Sequence, residues 1–367
     1  MRQYHLTAWL CLLCAGLMFS EAGAQEDFNF PGKDRKLDPV VPKFEEPAPT
    51  FIKSAQAGFA FLALPTDARS AALSGAGVGM TGSASGIFTN PATLAFFNGR
   101  EAFFTHVNWI VETKNDVGGM AVKIPGHGTV GVGFQTFDAG TFNRTAVDPN
   151  PASPGYRDLG TFKTSNYALS FAYGFKITDR FSVGGAAKLA HQDLGAGDVF
   201  VGGQKQTVNN SKNALGVDLG TYFNTGFRNT VMAMSVQNFG AELRYQQEQF
   251  ELPRSIRLGI LFDLVSLWGR TPAPHHLDLA VDVSNPIDFD ERALLGLEYT
   301  FQKAGGPFGV SLRGGYKTNH DTEDFSGGGG VRFRTESGKG VRLDYAFKHF
   351  DRKFFDSVHV LTGAVDF

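Results

Sequence analysis

Few side chains in this 367-residue sequence have the types and spacing that metal binding or catalysis requires. The neighbouring pair His275-His276 offers two imidazoles, but a zinc site needs further ligands and this pair lacks a third. The acidic segment 319–324 could attract calcium, yet its spacing matches no known calcium-binding loop. Neither a G-x-S-x-G nor an H-E-x-x-H motif is present. These patterns predict interfacial histidines and a solvated turn, and indicate a protein that is not an enzyme and holds no metal or cofactor.

Segment 51–99 is rich in small and apolar residues and contains signals for two short helices. Asn90-Pro91-Ala92 predicts a helix start, with Asn90 as the N-cap and Pro91 at the first helical position. Another helix is expected from residues 65–67 through Leu73, closed by the glycines that follow. The run 75–79 lacks the Lys-Ser/Thr of a phosphate-binding loop, so it predicts closely packed backbone instead.

Arg69 is the residue of this segment most in need of a partner. If strands enclose the segment, its guanidinium must be paired, because a buried charge is costly whatever the function. The expected partners are inward-facing carboxylates of the strands: Asp218, Asp278, Asp282 or Asp344. We favour an ion pair that fixes the segment in place, and a gate is the alternative.

The amino-terminal residues read as an export signal. Arg2 precedes the apolar run 6–19, and Ala22-Gly23-Ala24 has the small-x-small pattern of a cleavage site, so residues 1–24 are expected to be a signal peptide. The only two cysteines, Cys11 and Cys14, fall within it, which excludes a disulfide framework in the mature chain. Residues 25–50 are rich in proline and in charges of both signs, and this composition predicts a disordered leader.

After Gly99 the pattern changes to segments of alternating hydrophobicity, each close to the roughly 9–11 residues that a tilted strand needs to cross a bilayer. We predict about fourteen such strands, an even number as bacterial single-chain barrels have. They lie near 101–110, 116–124, 128–138, 164–175, 180–191, 212–224, 230–239, 253–263, 275–283, 291–301, 307–316, 325–334, 340–348 and 357–367.

Alternation within these strands separates a bulky apolar face from a small or charged one. In 167–175 aromatic and leucine side chains alternate with Ala168, Ser170, Ala172 and Gly174. In 341–348 Arg342, Asp344, Ala346 and Lys348 share one face. A soluble β-sandwich would show the same alternation, but export and the number and length of strands favour a membrane barrel. The small inward residues leave room for an internal plug, which we assign to segment 51–99.

The last strand ends on an aromatic residue. Leu361, Val365 and the terminal Phe367 share one face of it, and such an ending resembles the signal that the outer-membrane barrel-assembly machinery recognises. Composition agrees with a barrel, since 45 Gly and 35 Phe accompany a mean hydropathy of only -0.13. The net charge of -2 gives no basic surface for nucleic acid.

Several segments resemble the PorV/PorQ family. FAFLALPTDARSAALSGAGVGM at 59–80 followed by FTNPATLAFF at 88–97 is similar to the amino-terminal signature of that family. Segments 252–262, 293–301, 311–317 and 341–350 agree in the same order. Ser74 stands where the family's first Gly usually is, and Thr93 follows Asn-Pro-Ala where Gly or Lys is common. The family is similar in fold to FadL-type transporters, which are fourteen-stranded barrels plugged by their amino-terminal segment.

The resemblance implies an all-β, transmembrane antiparallel barrel over residues 100–367 in the outer membrane of a Gram-negative bacterium. Its implied role is as an accessory of type IX secretion, with partners in the translocon or in surface attachment of cargo. The alternative is a FadL-like passive transporter of hydrophobic small molecules. Long loops at 139–163 and 240–252 would serve protein partners, and a helix is considered for the second. A transporter instead needs an apolar pocket and an exit.

Overall fold

The computed structural model describes residues 57–367 except 149, 151–153, 202–203, 246–247, 269–273, 304–305, 321–322, 336 and 351–354. Fourteen antiparallel strands form a closed barrel, as the alternation predicts. In chain order these are β1 (Arg100–Asn108), β2 (Lys114–Ile124), β3 (Gly128–Asp138), β6 (Ser165–Lys176), β7 (Phe181–Val201), β8 (Gln204–Asn224), β9 (Val231–Gly240), β12 (Ser255–Asp263), β13 (His275–Pro286), β14 (Arg292–Gln302), β15 (Phe308–Lys317), β16 (Glu323–Arg334), β17 (Gly340–Phe350) and β18 (Val358–Asp366). Strand β18 pairs with β1 and closes the sheet. The predicted signal peptide and leader lie outside the described residues.

Large apolar side chains point away from the barrel axis. On β6 the outward face carries Tyr167, Leu169, Phe171, Tyr173 and Phe175, each roughly half exposed, while Ala168, Ser170 and Ala172 are buried inside. Strand β17 follows the same rule, with Val341, Leu343 and Tyr345 outside. An exterior this apolar on a closed barrel is what lipid contact requires, because lipid-facing and lumen-facing residues alternate.

The two ends of the barrel differ in their connections. At one end, which we call the short-turn end, residues 125–127 and 177–180 join neighbouring strands, and the Phe367 N–H donates to the Arg100 carbonyl. At the opposite, long-loop end, β7 and β8 extend to 21 residues each. Outer-membrane barrels place short turns on the periplasmic side and long loops outside.

Two long loops form hairpins of their own. Strands β4 (Thr141–Val147) and β5 (Tyr156–Lys163) pair in one of them, and β10 (Leu243–Tyr245) and β11 (Glu248–Phe250) in the other. The helix considered for 240–252 is therefore wrong. Helix-favouring Glu and Gln residues are overridden there by strand pairing and by the stacking of Tyr245 on Phe250, whose ring centroids are 5.0 Å apart.

Residues 57–99 lie inside the barrel and are called the plug below. They form four short helices: α1 (Ala60–Ala63), α2 (Ala68–Ala72), α3 (Gly86–Thr89) and α4 (Pro91–Phe96), of which α1 and α4 are 3-10 helices. Asp67 caps α2, since its carboxylate accepts the Ser70 N–H. A fifth helix, α5 (Leu264–Leu267), follows β12. No helix among the described residues is long and apolar enough to cross a bilayer.

The core of the molecule is the contact between plug and wall. Ile87, Phe88 and Leu94 of the plug are buried against Phe103 and Val117 of the barrel. Near the long-loop end a second cluster combines plug residues with small or apolar wall and loop residues: Phe59, Phe61, Leu62, Ala168, Ala190, Ala214 and Leu252. Small side chains inside β6, β7 and β8 therefore make the room that the plug occupies.

Candidate functional site: the plug and the lumen wall

Wall side chains accept hydrogen bonds from the plug backbone. The Asp282 carboxylate accepts the N–H groups of Gly77 and Val78, each at 2.8 Å. The hydroxyls of Ser326 and Thr362 accept the N–H groups of Ser74 and Ala68, also at 2.8 Å. Short helices leave most of their own backbone groups unpaired, and burial makes each unpaired group costly. The wall therefore supplies partners that the plug cannot supply for itself.

Other wall side chains donate to plug carbonyls. Gln135 donates to the Phe61 carbonyl at 2.6 Å, and Asn115 donates to that of Pro65 at 3.0 Å. Further around the barrel, on β9, the Ser235 hydroxyl and the Gln237 amide both donate to the carbonyl of Thr89. The plug is thus bonded to the wall on several sides.

Asn90 links two parts of the plug to the barrel. It is fully buried, and its Oδ1 accepts the Ala92 N–H at 3.1 Å, so it caps α4 with Pro91 at the first position. Its Nδ2 donates to the carbonyls of Val78 and Thr221 at 2.9 and 3.1 Å. One amide therefore satisfies three backbone groups that would otherwise be unpaired.

Arg69 pairs with Glu298, which corrects the sequence-based choice of an aspartate. Its Nε and Nη2 donate to the two Glu298 oxygens at 2.9 and 2.6 Å, and its Nη1 donates to the Thr81 carbonyl. The bidentate geometry gives the pair a fixed orientation. Because Glu298 is buried on β14, the ion pair ties α2 to the barrel wall.

Three of the four aspartates proposed for Arg69 have other partners. Asp282 binds the plug backbone, and Asp344 pairs with Arg313 at 2.7 Å and Arg342 at 2.8 Å. Asp218 pairs with Lys188 at 2.8 Å and accepts the Asn238 N–H at 2.7 Å, where the register between β8 and β9 shifts. Asp278 is half-buried on β13 and faces Glu298 across the strands.

A chain of ions extends from Arg69 along the wall. Arg313 bridges Glu298 and Asp344, and Arg342 continues from Asp344 to Glu101, whose carboxylate accepts the Ala84 N–H at 2.7 Å. Sequence reasoning missed Glu298, Arg313 and Glu101. Arg313 stands among small or polar inward residues of β15, and that pattern was the available signal. Glu298 and Glu101 share their inner faces with apolar residues, Leu294 on β14 and Phe103 on β1, which gave no such signal.

Three inward glycines form a row across β6, β7 and β8. Gly174 pairs with Gly184, and Gly184 pairs with Gly220. A Cβ on Gly184 would lie 2.3 Å from the Pro91 carbonyl carbon, and one on Gly174 would lie 2.6 Å from the Pro91 oxygen. Helix α4 therefore touches the bare wall backbone along this glycine row.

On the lipid side of the glycine row the wall has an apolar notch. It is lined by Tyr173, Phe175, Val183, Gly184, Gly185 and Leu219. Gly185 points outward between Tyr173 and Leu219 in the register, and a Cβ there would meet only ordinary contacts, the nearest at 3.6 Å. Between the notch and α4 the wall is one backbone layer thick.

A polar cavity of about 150 Å³ lies between the plug and the strands from β14 to β17. The plug contributes Arg69, Thr81 and Gly82 to its lining. The wall contributes charged, polar and small residues, among them Glu298, Gln302, Gly309, Ser311, Arg313, Arg332, Arg342 and Asp344. Gln302, Gly309 and Arg332 lie within two residues of their strand ends, so the cavity is at the short-turn end.

The remaining candidate residues lie on the outside or in turns. Leu361, Val365 and Phe367 face outward with 47%, 48% and 49% of their surface exposed. His275 is exposed and shares a hydrogen bond of 2.7 Å with the Tyr299 hydroxyl. In the part of the chain that the structure describes, no three His, Cys, Asp or Glu side chains are grouped to hold a metal ion.

No protein-family model matches the chain. No curated protein sequence matches it significantly either. The likeness to known proteins is therefore one of structure.

Solved outer-membrane barrels share the fold at low sequence identity. The toluene transporter TbuX of Ralstonia pickettii covers 82% of this chain over 97% of its own length, with a TM-score of 0.54 and 12% identity. The match to the toluene transporter TodX of P. putida covers 82% of this chain and 98% of TodX, with a TM-score of 0.54 and 11% identity. The match to the monoaromatic hydrocarbon channel CymD covers 82% of this chain and 97% of CymD, with a TM-score of 0.53 and 11% identity. The chain has the FadL-like fourteen-stranded barrel fold, while none of these three proteins is described as a secretion accessory.

Proposed function

We propose that this protein is an outer-membrane barrel through which small apolar molecules cross passively. The fold is shared with proteins described as toluene transporters and as a monoaromatic hydrocarbon channel. The apolar exterior supports a place in outer-membrane lipid, with the long-loop end facing out. This is the transporter alternative considered from the sequence, and the secretion role becomes the second candidate.

The observation that carries the proposal is the thin wall at the glycine row. Gly174, Gly184 and Gly220 place no side chain between α4 and the barrel backbone, and Gly185 leaves the outer side open. An apolar solute inside the lumen at this height is separated from the lipid by a single backbone layer. Lateral release into lipid spares such a solute the return to water that an axial exit would require.

In this proposal an apolar solute enters at the long-loop end, where a cluster of aromatic and aliphatic side chains lies. Phe59, Phe61 and Leu62 of the plug pack there with Leu252 and Phe250. The rings of Phe59 and Phe250 are stacked with centroids 6.3 Å apart. Aromatic and aliphatic surfaces of this kind are what ligand pockets for apolar molecules present.

Passage requires α4 to move, because α4 fills the lumen beside the glycine row. Helix α4 has no charged side chain and so forms no ion pair with the wall. Ser182 donates to its Ala92 carbonyl at 2.8 Å, Lys123 donates to its Ala95 carbonyl at 2.9 Å, and the Lys176 ammonium lies 4.3 Å from the centre of the Phe96 ring. The α2 half of the plug is held by the Arg69–Glu298 pair instead. Hydrogen bonds to backbone carbonyls cost less to exchange than a buried ion pair, so α4 is the mobile half in this proposal.

A large side chain placed in the notch tests whether apolar molecules leave the barrel there. Gly185→Phe places a ring in the notch without touching the lumen, whereas Gly363→Phe places the same ring on the outer face of β18, where no atom lies within 4 Å of the added Cβ. Toluene uptake into proteoliposomes should fall several-fold for Gly185→Phe and stay at the parental rate for Gly363→Phe. Equal uptake by both variants and the parent would rule out exit through the notch.

A second candidate is a protein-binding role of the PorV/PorQ type, with translocon or surface-attachment proteins as partners. It is favoured by the β4–β5 hairpin, which projects beyond the barrel with apolar side chains in water. Val147 is 84% exposed and Tyr156 is 54% exposed, and contacts with other proteins commonly cover such side chains. Affinity purification of the parent and of a variant lacking residues 141–163 from solubilised outer membrane would test it, since only the parent should retain a secretion partner.

A further inference from the structure

Two arginines on neighbouring strands lie side by side on the inner face of the barrel, near its short-turn end. Arg332 on β16 is the register partner of Arg342 on β17, and both side chains point into the lumen. Like charges directly opposite on neighbouring strands destabilise a sheet. A carboxylate for each arginine would remove the repulsion, but only one of the two has such a partner.

The carboxylates near Arg332 are already bonded to other arginines. Arg342 binds Glu101 and Asp344, and Arg334 binds Asp366 at 2.8 Å. Arg332 makes no side-chain hydrogen bond or ion pair within the described part of the chain, and its Nε is buried without an acceptor. A partly buried guanidinium without a hydrogen-bond acceptor needs an anionic partner, and the surrounding side chains supply none.

The polar cavity of about 150 Å³ lies against Arg332. Its space arises where side chains are missing, because Gly309 is the register partner of Arg332 on β15 and Gly82 lines the plug side. Thr300 and Ser311 add hydroxyl groups to the lining. The volume corresponds to about five water molecules at roughly 30 Å³ each, which is enough for one small oxyanion.

We propose that this cavity binds a small oxyanion, the carboxylate or phosphate group of a solute, between Arg332 and Arg342. Arginine presents paired N–H donors that match the oxygens of both groups. The anion would separate the two guanidinium charges and bond the buried Nε of Arg332. The site lies at the short-turn end of the lumen. The inference does not depend on transport of apolar molecules.

Binding can be measured on the full chain folded in detergent micelles. The probes are inorganic phosphate and sodium acetate, each titrated against sodium chloride at constant ionic strength, with the thermal unfolding midpoint and calorimetry as readouts. The parent should show a saturable rise of the midpoint with at least one probe, and the stronger of the two identifies the group. Arg332→Gln should weaken binding roughly tenfold or more, since a charge-assisted hydrogen bond is lost.

Arg334→Gln is the matched control. Arg334 is two residues away on the same face of β16, is already paired with Asp366, and does not line the cavity. This variant should retain the response of the parent. Absence of any saturable response in the parent, or the same response in Arg332→Gln, would overturn the proposal.

Discussion

At the scale of single residues, the plug depends on side chains that each satisfy more than one buried group. Asn90 serves three backbone groups, and the Asp282 carboxylate serves two. The cost of losing such a residue comes mainly from the groups it leaves unpaired. A substitution that keeps some of a residue's hydrogen bonds and removes others allows the contribution of each bond to be measured separately.

Asn90→Ala should leave the barrel intact and loosen α4. The cap on Ala92 contributes about 1 kcal/mol, and two unpaired carbonyls add to that, so local opening should become easier by about 2 kcal/mol or more. Hydrogen exchange at the Ala92 amide measures it. Asn90→Ser keeps a capping acceptor without burying a charge but loses the amide donor, so it should fall between the parent and Asn90→Ala. Equal protection in all three proteins would show that Asn90 does not hold α4.

His320, in the turn after β15, should titrate far below its usual range. Burial, followed by the positive charge of Lys317, lowers its pKa to about 4. Its Nδ1 accepts the Glu323 N–H at 3.0 Å, which requires the neutral ring. The turn is therefore fully stable above pH 6.5 and loses stability as the pH falls from about 6.5 towards 4. An NMR titration of His320 in micelles gives the midpoint directly, and a value near 6.5 would contradict the buried neutral ring.

At the scale of elements, the plug and the strands around it are matched in size. Ala172, Gly174 and Gly184 on the inner faces of β6 and β7 are too small to fill the lumen without α4. The same strands are aromatic outside, so their fit to lipid does not depend on the plug. Removing the plug should therefore change the interior far more than the exterior.

Deletion of residues 51–99 should give a barrel that still inserts but conducts ions. The small inward side chains cannot close the space, so planar-bilayer conductance should be low for the parent and large and steady for the deletion. Heat-modifiable migration on gels serves as the control for insertion. A deletion variant that inserts but conducts no better than the parent would show that another part of the chain closes the lumen.

Barrel insertion should be sensitive to loss of Phe367, which directly follows β18. Phe367 extends the outward row of Leu361 and Val365, and its N–H bonds the Arg100 carbonyl at the seam with β1. Deleting Phe367 should lower the amount of inserted barrel several-fold while export continues. Leu361→Ala, in the middle of the same row, is the control and should insert nearly as the parent does. If deleting Phe367 leaves insertion unchanged, recognition by the assembly machinery does not need this aromatic end.

At the scale of the whole molecule, the plug has an ionic half and a neutral half. The α2 half is tied to β14 through the bidentate, charge-assisted pair of Arg69 and Glu298. The α4 half lies against the glycine row through apolar contacts and hydrogen bonds, with no charged side chain of its own. Movement during transport should therefore be confined to α4.

A disulfide at the α2 half tests this division. The hydroxyl oxygens of Ser74 and Ser326 are 2.8 Å apart, so Ser74→Cys with Ser326→Cys brings two thiols within bonding reach. The oxidised double variant should take up toluene at the parental rate, and dithiothreitol should not change it. Single Ser74→Cys controls for the substitution itself. Uptake that is lost on oxidation and restored by reduction would mean that the whole plug moves.

Much of the barrel follows from the sequence because alternation records which side of the wall faces lipid. All fourteen predicted strands lie within the observed ones or differ by a few residues at their ends, apart from the extensions of β7 and β8. Partners across the lumen could not be predicted, because pairing Arg69 with Glu298 depends on the rotation of α2 inside the barrel. The glycine row and the Arg332–Arg342 pair depend on register between strands, which a single sequence does not fix.

The closed seam between β1 and β18 also constrains the order of assembly. The Ala68 N–H is bonded by Thr362, 294 positions later in the chain, and the plug continues directly into β1. The plug is therefore completed by a strand that lies almost 300 residues later in the chain. Until β18 pairs with β1, the barrel wall around Arg69 and the apolar plug helices is incomplete. Pairing between strands so far apart in the sequence is slow. A chain in which β18 has not yet paired would leave these groups exposed, and chaperones and proteases act on exposed apolar surface.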